Sequence, residues 1–87
     1  MKRWSVLFKA LSNINRLKII KMLHGTRGRS VGDIAKELSI SSKSTSKHLI
    51  ILSNLDILEY RGQMNRVLYY LSDGMPEDVR KVLRLFI

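Results

Sequence analysis

The stretch that decides the fold is SSKSTSKHLIIL, residues 41–52. Its first eight residues carry five small hydroxyl side chains with Lys43, Lys47 and His48, and its last four are solidly aliphatic. At about 100° per residue, Thr45, Leu49 and Leu52 fall within roughly 60° of one another and form an inward face. Lys43, Ser46, Lys47 and Ile50 lie opposite, with Ser44 beside them. Ser41 is placed to cap the helix. Serine lets a backbone approach a nucleic acid closely and bonds phosphates or base edges, and lysine reaches phosphate or a guanine edge. The free N–H groups at the helix N-terminus also favour anions. One face thus suits a negatively charged groove and the other a protein core.

Upstream, VGDIAKEL reads as a short helix with Ile34, Ala35 and Leu38 inward, and Ser30 followed by Asp33 is a loose capping box. SIS joins it tightly to the next helix. Two short helices with such a turn, about residues 30–54, outline a helix-turn-helix. Before them, TRGRS reads as a loop by its glycine and polar content. Trp4, Leu7, Phe8 and Leu11 mark a first helix, at about 2–12. Ser12 and Asn13 stop it and cap a second, in which Ile14, Leu17, Ile20 and Leu23 form the stripe and Gly25 the end. Arg16, Lys18 and Lys21 lie off that stripe, towards solvent.

After Asn54 the period shortens. ILEYRG and RVLYYL are strand-like runs joined by GQMN, whose Gly62 and Asn65 tolerate positive φ, so a hairpin is expected at about 57–71. Arg61, Gln63, Asn65 and Arg66 dress it with polar and basic groups, which makes it a wing able to lie on phosphates or enter a minor groove. A closing helix is expected at about 76–87, with Pro76 in its first position and Glu77 and Asp78 in its first turn. Val79, Val82, Leu83 and Phe86 form its stripe. The fold class is mainly α with a small β-hairpin, a winged helix-turn-helix in one domain over 1–87.

Composition narrows the partners. The 87 residues contain 16 Lys and Arg against 7 Asp and Glu, a net charge of +9, and 45% are apolar. A basic domain of this size suits a polyanion, most commonly nucleic acid. Cysteine is absent, which removes disulfides, thiolate metal sites and cysteine nucleophiles. No apolar run is long enough to span a bilayer, and the basic N-terminus lacks the apolar core of a signal peptide; a cytoplasmic location is expected. No Gly-x-Ser-x-Gly elbow or phosphate-cradling glycine loop occurs, and neither histidine has an acidic partner at an orienting spacing, so no catalytic residues, metal or cofactor are expected. His24, beside Gly25, fits a helix end.

The terminal helices both carry full apolar stripes. Uncovered, they would mark an interface, so Trp4, Leu7, Phe8, Leu11, Val79, Val82, Leu83 and Phe86 are expected to dimerise the chain; the competing reading folds them onto its own core. A two-fold dimer would present two recognition helices to half-sites about one DNA turn apart.

From Phe8 to Leu71 the sequence resembles the ArsR-type winged helix-turn-helix repressors of bacteria and archaea. The resemblance is carried by Ala10-Leu11 with Asn15-Arg16-Leu17 and Ile20, by Ser46-Lys47-His48-Leu49-x-x-Leu52, and by the Tyr69 strand. It implies repression by binding of double-stranded operator DNA as a homodimer, often relieved by a metal or another inducer. Metal-sensing members carry Cys-Val-Cys-Asp where this chain has Ser30, Val31, Gly32 and Asp33, and others use a histidine that its closing helix lacks. The small-molecule effector is therefore unknown. Ser42, Lys43, Ser44, Ser46, Lys47 and His48 are the expected groove-side residues, with His48 open to a DNA-side or a structural role. Non-specific chromatin or RNA association, and a winged-helix protein-interaction module, are the alternatives.

Overall fold

Side-chain caps set the helix boundaries. In the computed structural model, which describes residues 2–87, α1 spans Lys2–Leu11 and α2 spans Ile14–Leu23. Between them the side-chain oxygen of Asn13 accepts from the N–H groups of Asn15 and Arg16, at 3.0 and 3.1 Å. This satisfies two of the donors that a helix N-terminus leaves free. Ser30 caps α3, Val31–Leu38, by accepting from Asp33 N at 3.1 Å, and Ser41 caps α4, Ser42–Asn54, from Ser44 N at 3.0 Å.

Both helices of the helix-turn-helix end alike. Ser39 (φ 57°) and Asp56 (φ 60°) take the left-handed conformation that ends a helix. Ile40 N–H then reaches back to Ala35 O at 3.2 Å and Ile57 N–H to Leu52 O at 3.1 Å, the longer bond of the Schellman motif. Ile57, just beyond the second of these ends, is fully buried.

The wing is β2, Leu58–Gln63, against β3, Arg66–Leu71. They pair antiparallel from Leu58↔Leu71 to Gln63↔Arg66, leaving Met64 and Asn65 as a two-residue turn. The hairpin stands where the sequence places it, but the positive φ does not. It falls on Met64, at 57°, and on neither Gly62 nor Asn65. Gly62 is paired with Val67 inside the ladder, so it stays extended, and a hairpin turn of this length asks for positive φ at its first loop residue.

A third strand was not legible in the sequence. Arg29–Ser30, inside the segment read as a loop, forms β1 and pairs antiparallel with β3 through Arg29↔Tyr69 and Ser30↔Leu68. The sheet order is β1-β3-β2. Two residues are too few to display a period of two. The approach is tight: Gly28 has φ 133°, and a Cβ there would lie 3.1 Å from Leu68 Cβ.

The core is drawn from every helix. Ile19, Ile20 and Leu23 of α2 are buried together with Ile34 of α3, Leu49 and Leu52 of α4, and Ile57 and Leu58 at the wing root. The expected stripe of α2 is corrected at its start, because Ile14 is 64% exposed and Ile19 is fully buried. Lying against α1, α3, α4 and β3, α2 buries an arc wide enough to take two consecutive isoleucines. Ile14, at its N-terminal end, lies beyond that packing.

The closing helix α5, Glu77–Leu83, is shorter than expected, and Pro76 flanks it instead of opening it. Tighter turns follow, with Leu85 N–H bonded to Val82 O and Phe86 N–H to Leu83 O, both at 3.1 Å. The two terminal stripes divide between inner and outer members. Leu7, Leu11, Val79 and Leu83 are buried in the chain's own core, at 2%, 8%, 1% and 1% exposure. Trp4, Val82 and Phe86 are half-buried and Phe8 is exposed. On α1 the cause is angular: Leu7 and Leu11 are one turn apart on the inner side, and Trp4 and Phe8 are one turn apart on the next. The Trp4 and Phe8 rings lie 5.4 Å apart. A bidentate pair between Arg3 and Asp78, at 2.7 and 2.9 Å, ties α1 to α5. Half-exposed, that pair fixes geometry more than it stabilises.

Candidate nucleic-acid interface

The recognition helix α4 is anchored from within. Thr45 is fully buried, and its hydroxyl donates to Ser41 O at 2.9 Å. Thr45, Leu49 and Leu52 face the core, as their spacing requires. The outward side presents Ser42, Lys43, Ser44, Lys47 and Ile50 to solvent, with Ser46 and His48 half-buried at its margins. Lys43 and Lys47 are one turn apart on that side, so their ammonium groups reach a common ligand. The geometry offers hydroxyls, two mobile cations and free helix-start N–H groups to an anion.

His48 joins α4 to α2. Its Nδ1 lies 3.1 Å from Arg16 Nη1, and Arg16 Nε donates to Ala10 O at 2.6 Å. A guanidinium only donates, so Nδ1 accepts and the ring proton sits on Nε2. Arg16, expected in solvent, instead links a carbonyl at the end of α1 to the middle of α4. The separation of 32 residues along the chain explains why local spacing could not show it. Burial, and next the Arg16 charge, push the His48 pKa below its ordinary 6.5.

This predicts a pH dependence. The unfolded chain takes up a proton near pH 6.5 while the folded chain resists it, so stability falls as pH drops below about 6.5. Thermal melts at about pH 7.5 and pH 5.5 should show a larger loss for the parent chain than for His48→Gln, which keeps an acceptor without titrating. Equal losses would dismiss the linkage. Asp78 acts at lower pH: its hydrogen bond from Arg3 holds the carboxyl below its ordinary range against an opposing burial effect. Its stabilisation is present above that range and disappears as pH falls through the lowered pKa.

The wing residues separate into tip and root. Gln63, Asn65 and Arg66 are exposed at the tip, around a Met64 that is 96% exposed. Arg66 pairs with Asp33 at 3.4 Å, a long contact that fastens the tip to the start of α3. Arg61 is turned to the root, where it donates to Arg27 O at 2.6 Å and lies 4.9 Å from the centre of the Tyr70 ring. It is not gathered with the tip residues. Ser30, which stands in the place of a sensing cysteine, serves as the cap of α3. Among the described residues no three His, Cys, Asp or Glu side chains gather to hold a metal, and no helix is long and apolar enough to cross a membrane.

The comparisons agree with this architecture. The profile of the family described as bacterial regulatory protein, arsR family, matches residues 13–60. The chain is 33% identical over 72 residues to the transcriptional repressor SdpR of Bacillus subtilis, covering 83% of this chain and 79% of that protein. It is 39% identical over 67 residues to a cadmium resistance transcriptional regulatory protein, a CadC homologue of Staphylococcus aureus; there it is matched over 77% of its own length but spans only 55% of the relative. Among solved structures, it superposes on a homodimeric winged helix-turn-helix DNA-binding domain, Mb0332 of Mycobacterium bovis, with a TM-score of 0.78 and 28% identity. That match covers 97% of this chain and 74% of the other. With its capped helix pair, its hairpin wing and the match over residues 13–60, the chain belongs to the arsR family of bacterial regulatory proteins and has their winged helix-turn-helix fold.

Proposed function

We propose that the chain is a cytoplasmic, homodimeric repressor that binds operator DNA through the outer face of α4 and the wing tip. The observation that carries this reading is the division of α4, with Thr45, Leu49 and Leu52 fully buried and Lys43, Ser44 and Lys47 exposed on the other side. Ser42, Lys43, Ser44, Ser46 and Lys47 contact the groove, and Gln63, Asn65 and Arg66 contact the backbone beside it. His48 supports α4 from behind, and Arg61 braces the wing root.

The dimer is made by the outer members of the terminal stripes. Trp4, Phe8, Val82 and Phe86 join Leu85, which is 85% exposed, and the Arg3–Asp78 pair holds α1 and α5 together in one surface. The homodimeric state of the Mycobacterium bovis domain and the name of the Bacillus subtilis repressor support the assembly and the sign of regulation. One domain serves both tasks.

Selection of bound duplexes from a random-sequence pool at two salt concentrations tests this reading. A recovered palindrome with half-sites about one helical turn apart, and affinity falling steeply with salt, is expected. Steep salt dependence with no enriched sequence would replace it with an architectural role, and no binding at low salt would refute DNA recognition.

A further inference from the structure

A cleft of about 590 Å³ opens where the end of α2, the wing root and α5 meet. That is within the roughly 300–1,000 Å³ of small-molecule sites. Arg27, Arg61, Arg80 and Arg84 are among its lining residues, against one acidic side chain, that of Asp73. Leu23, Met75 and Leu83, all buried, supply apolar wall, and Tyr70 also lines it.

The positive charge there is poorly compensated. Arg61 donates to Arg27 O, and Arg80 donates to Asp73 O at 3.0 Å. Both acceptors are neutral carbonyls. The Glu77 carboxylate stands 3.8 Å from Arg80, and its side chain is 65% exposed. The Arg27 and Arg84 side chains make no hydrogen bond or ion pair among the described residues. No residue of α4 lines the cleft, so it is separate from the groove-facing surface.

We infer that this cleft binds a small organic anion, an oxyanion head group on a hydrocarbon or aromatic body. The head lies among the guanidiniums, which match carboxylate and phosphate oxygens in two-pronged geometry. The body lies on Leu23, Met75 and Leu83. A bare polyanion would leave that apolar wall wet. Arg61 belongs both to the cleft and to β2, so it is the residue through which occupancy reaches the wing. That regulatory consequence rests on the operator-binding reading; ligand binding itself does not.

The test is an amide-resolved NMR titration of the chain with 4-phenylbutyrate, and in parallel with the neutral 4-phenylbutanamide. Saturable shifts at His24, Thr26, Tyr70 and Ser72 are expected, with the neutral amide at least about tenfold weaker. Arg27→Ala/Arg84→Ala, two exposed positions, should weaken the acid by a similar factor without lowering the melting temperature. Equal binding of acid and amide, shifts confined to other surfaces, or no shifts up to about 10 mM would overturn the site. With the cleft filled, operator affinity should change about fivefold or more, and Arg61→Ala should remove that change. Unchanged operator affinity would overturn the link to the wing. The Lys43→Ala/Lys47→Ala variant should bind 4-phenylbutyrate normally, so loss of DNA binding and loss of the anion site are read separately.

Discussion

Replacing Lys43 and Lys47 together with alanine should lower the affinity for operator DNA roughly 60-fold at about 0.1 M salt, and flatten its salt dependence by about two. Each lysine that neutralises a phosphate contributes a slope of about −0.9 in log K against log salt, or about eightfold at that concentration. Both side chains are exposed, one helical turn apart, and neither forms an ion pair among the described residues. Their removal leaves the fold intact, within about 0.5 kcal/mol. Anisotropy titrations at three or more salt concentrations would check both numbers. A loss confined to one operator sequence, with the slope unchanged, would reassign the lysines from phosphates to base edges. Undiminished affinity would remove α4 from the interface.

The opposite side of the same helix carries the second large effect. Leu49 is fully buried in the core beside Leu52 and Ile20. Leu49→Ala removes apolar contact and leaves a cavity, at a cost of about 2–5 kcal/mol. Small domains have only about 5–15 kcal/mol in total, and each kcal/mol shifts the midpoint by about 4–8 °C at this size. Thermal unfolding should therefore come roughly 8–40 °C earlier. Leu49→Met, which nearly conserves volume, should cost less than about 1.5 kcal/mol. Calorimetry on the pair decides it, and a parent-like melting curve for Leu49→Ala would show that this face is not core. The two experiments divide one helix into a side that folds the protein and a side that uses the fold.

What was legible in the sequence was whatever a few neighbouring residues settle among themselves. Asn13, Ser30 and Ser41 cap helices because a short polar side chain reaches an N–H two or three residues on. The two faces of α4 follow from helical period alone, and the hairpin from a change of period around a short polar turn. The exposure of Ser42, Lys43, Ser44 and Lys47 in the candidate site was legible to the same depth, as a local consequence of which residues face inward.

Interactions across the chain were not legible. Arg16 reaches His48, Arg66 reaches Asp33, and Arg61 reaches the carbonyl of Arg27, over separations of 32, 33 and 34 residues. No periodicity records such pairs. The β1 strand pairs with β3 beside Gly28, whose positive φ and lack of a Cβ suit the close approach, and Ile19 replaces Ile14 in the core because α2 is packed by several neighbours. The terminal stripes divide for the same reason: apolar spacing shows that a surface is buried but does not say by what.

By itself, then, the sequence determined the order of the helices and the hairpin, the caps, the two faces of α4 and the basic character of the molecule, since each depends on bonds or angles spanning at most a few residues. Only the tertiary structure decided that His48 and Arg16 brace the recognition helix and that Arg61 turns to the wing root. It also divided the terminal helices into an inner half that completes the core and an outer half left at the surface. Those outcomes depend on which elements become neighbours, a property of the packed chain and of no single segment.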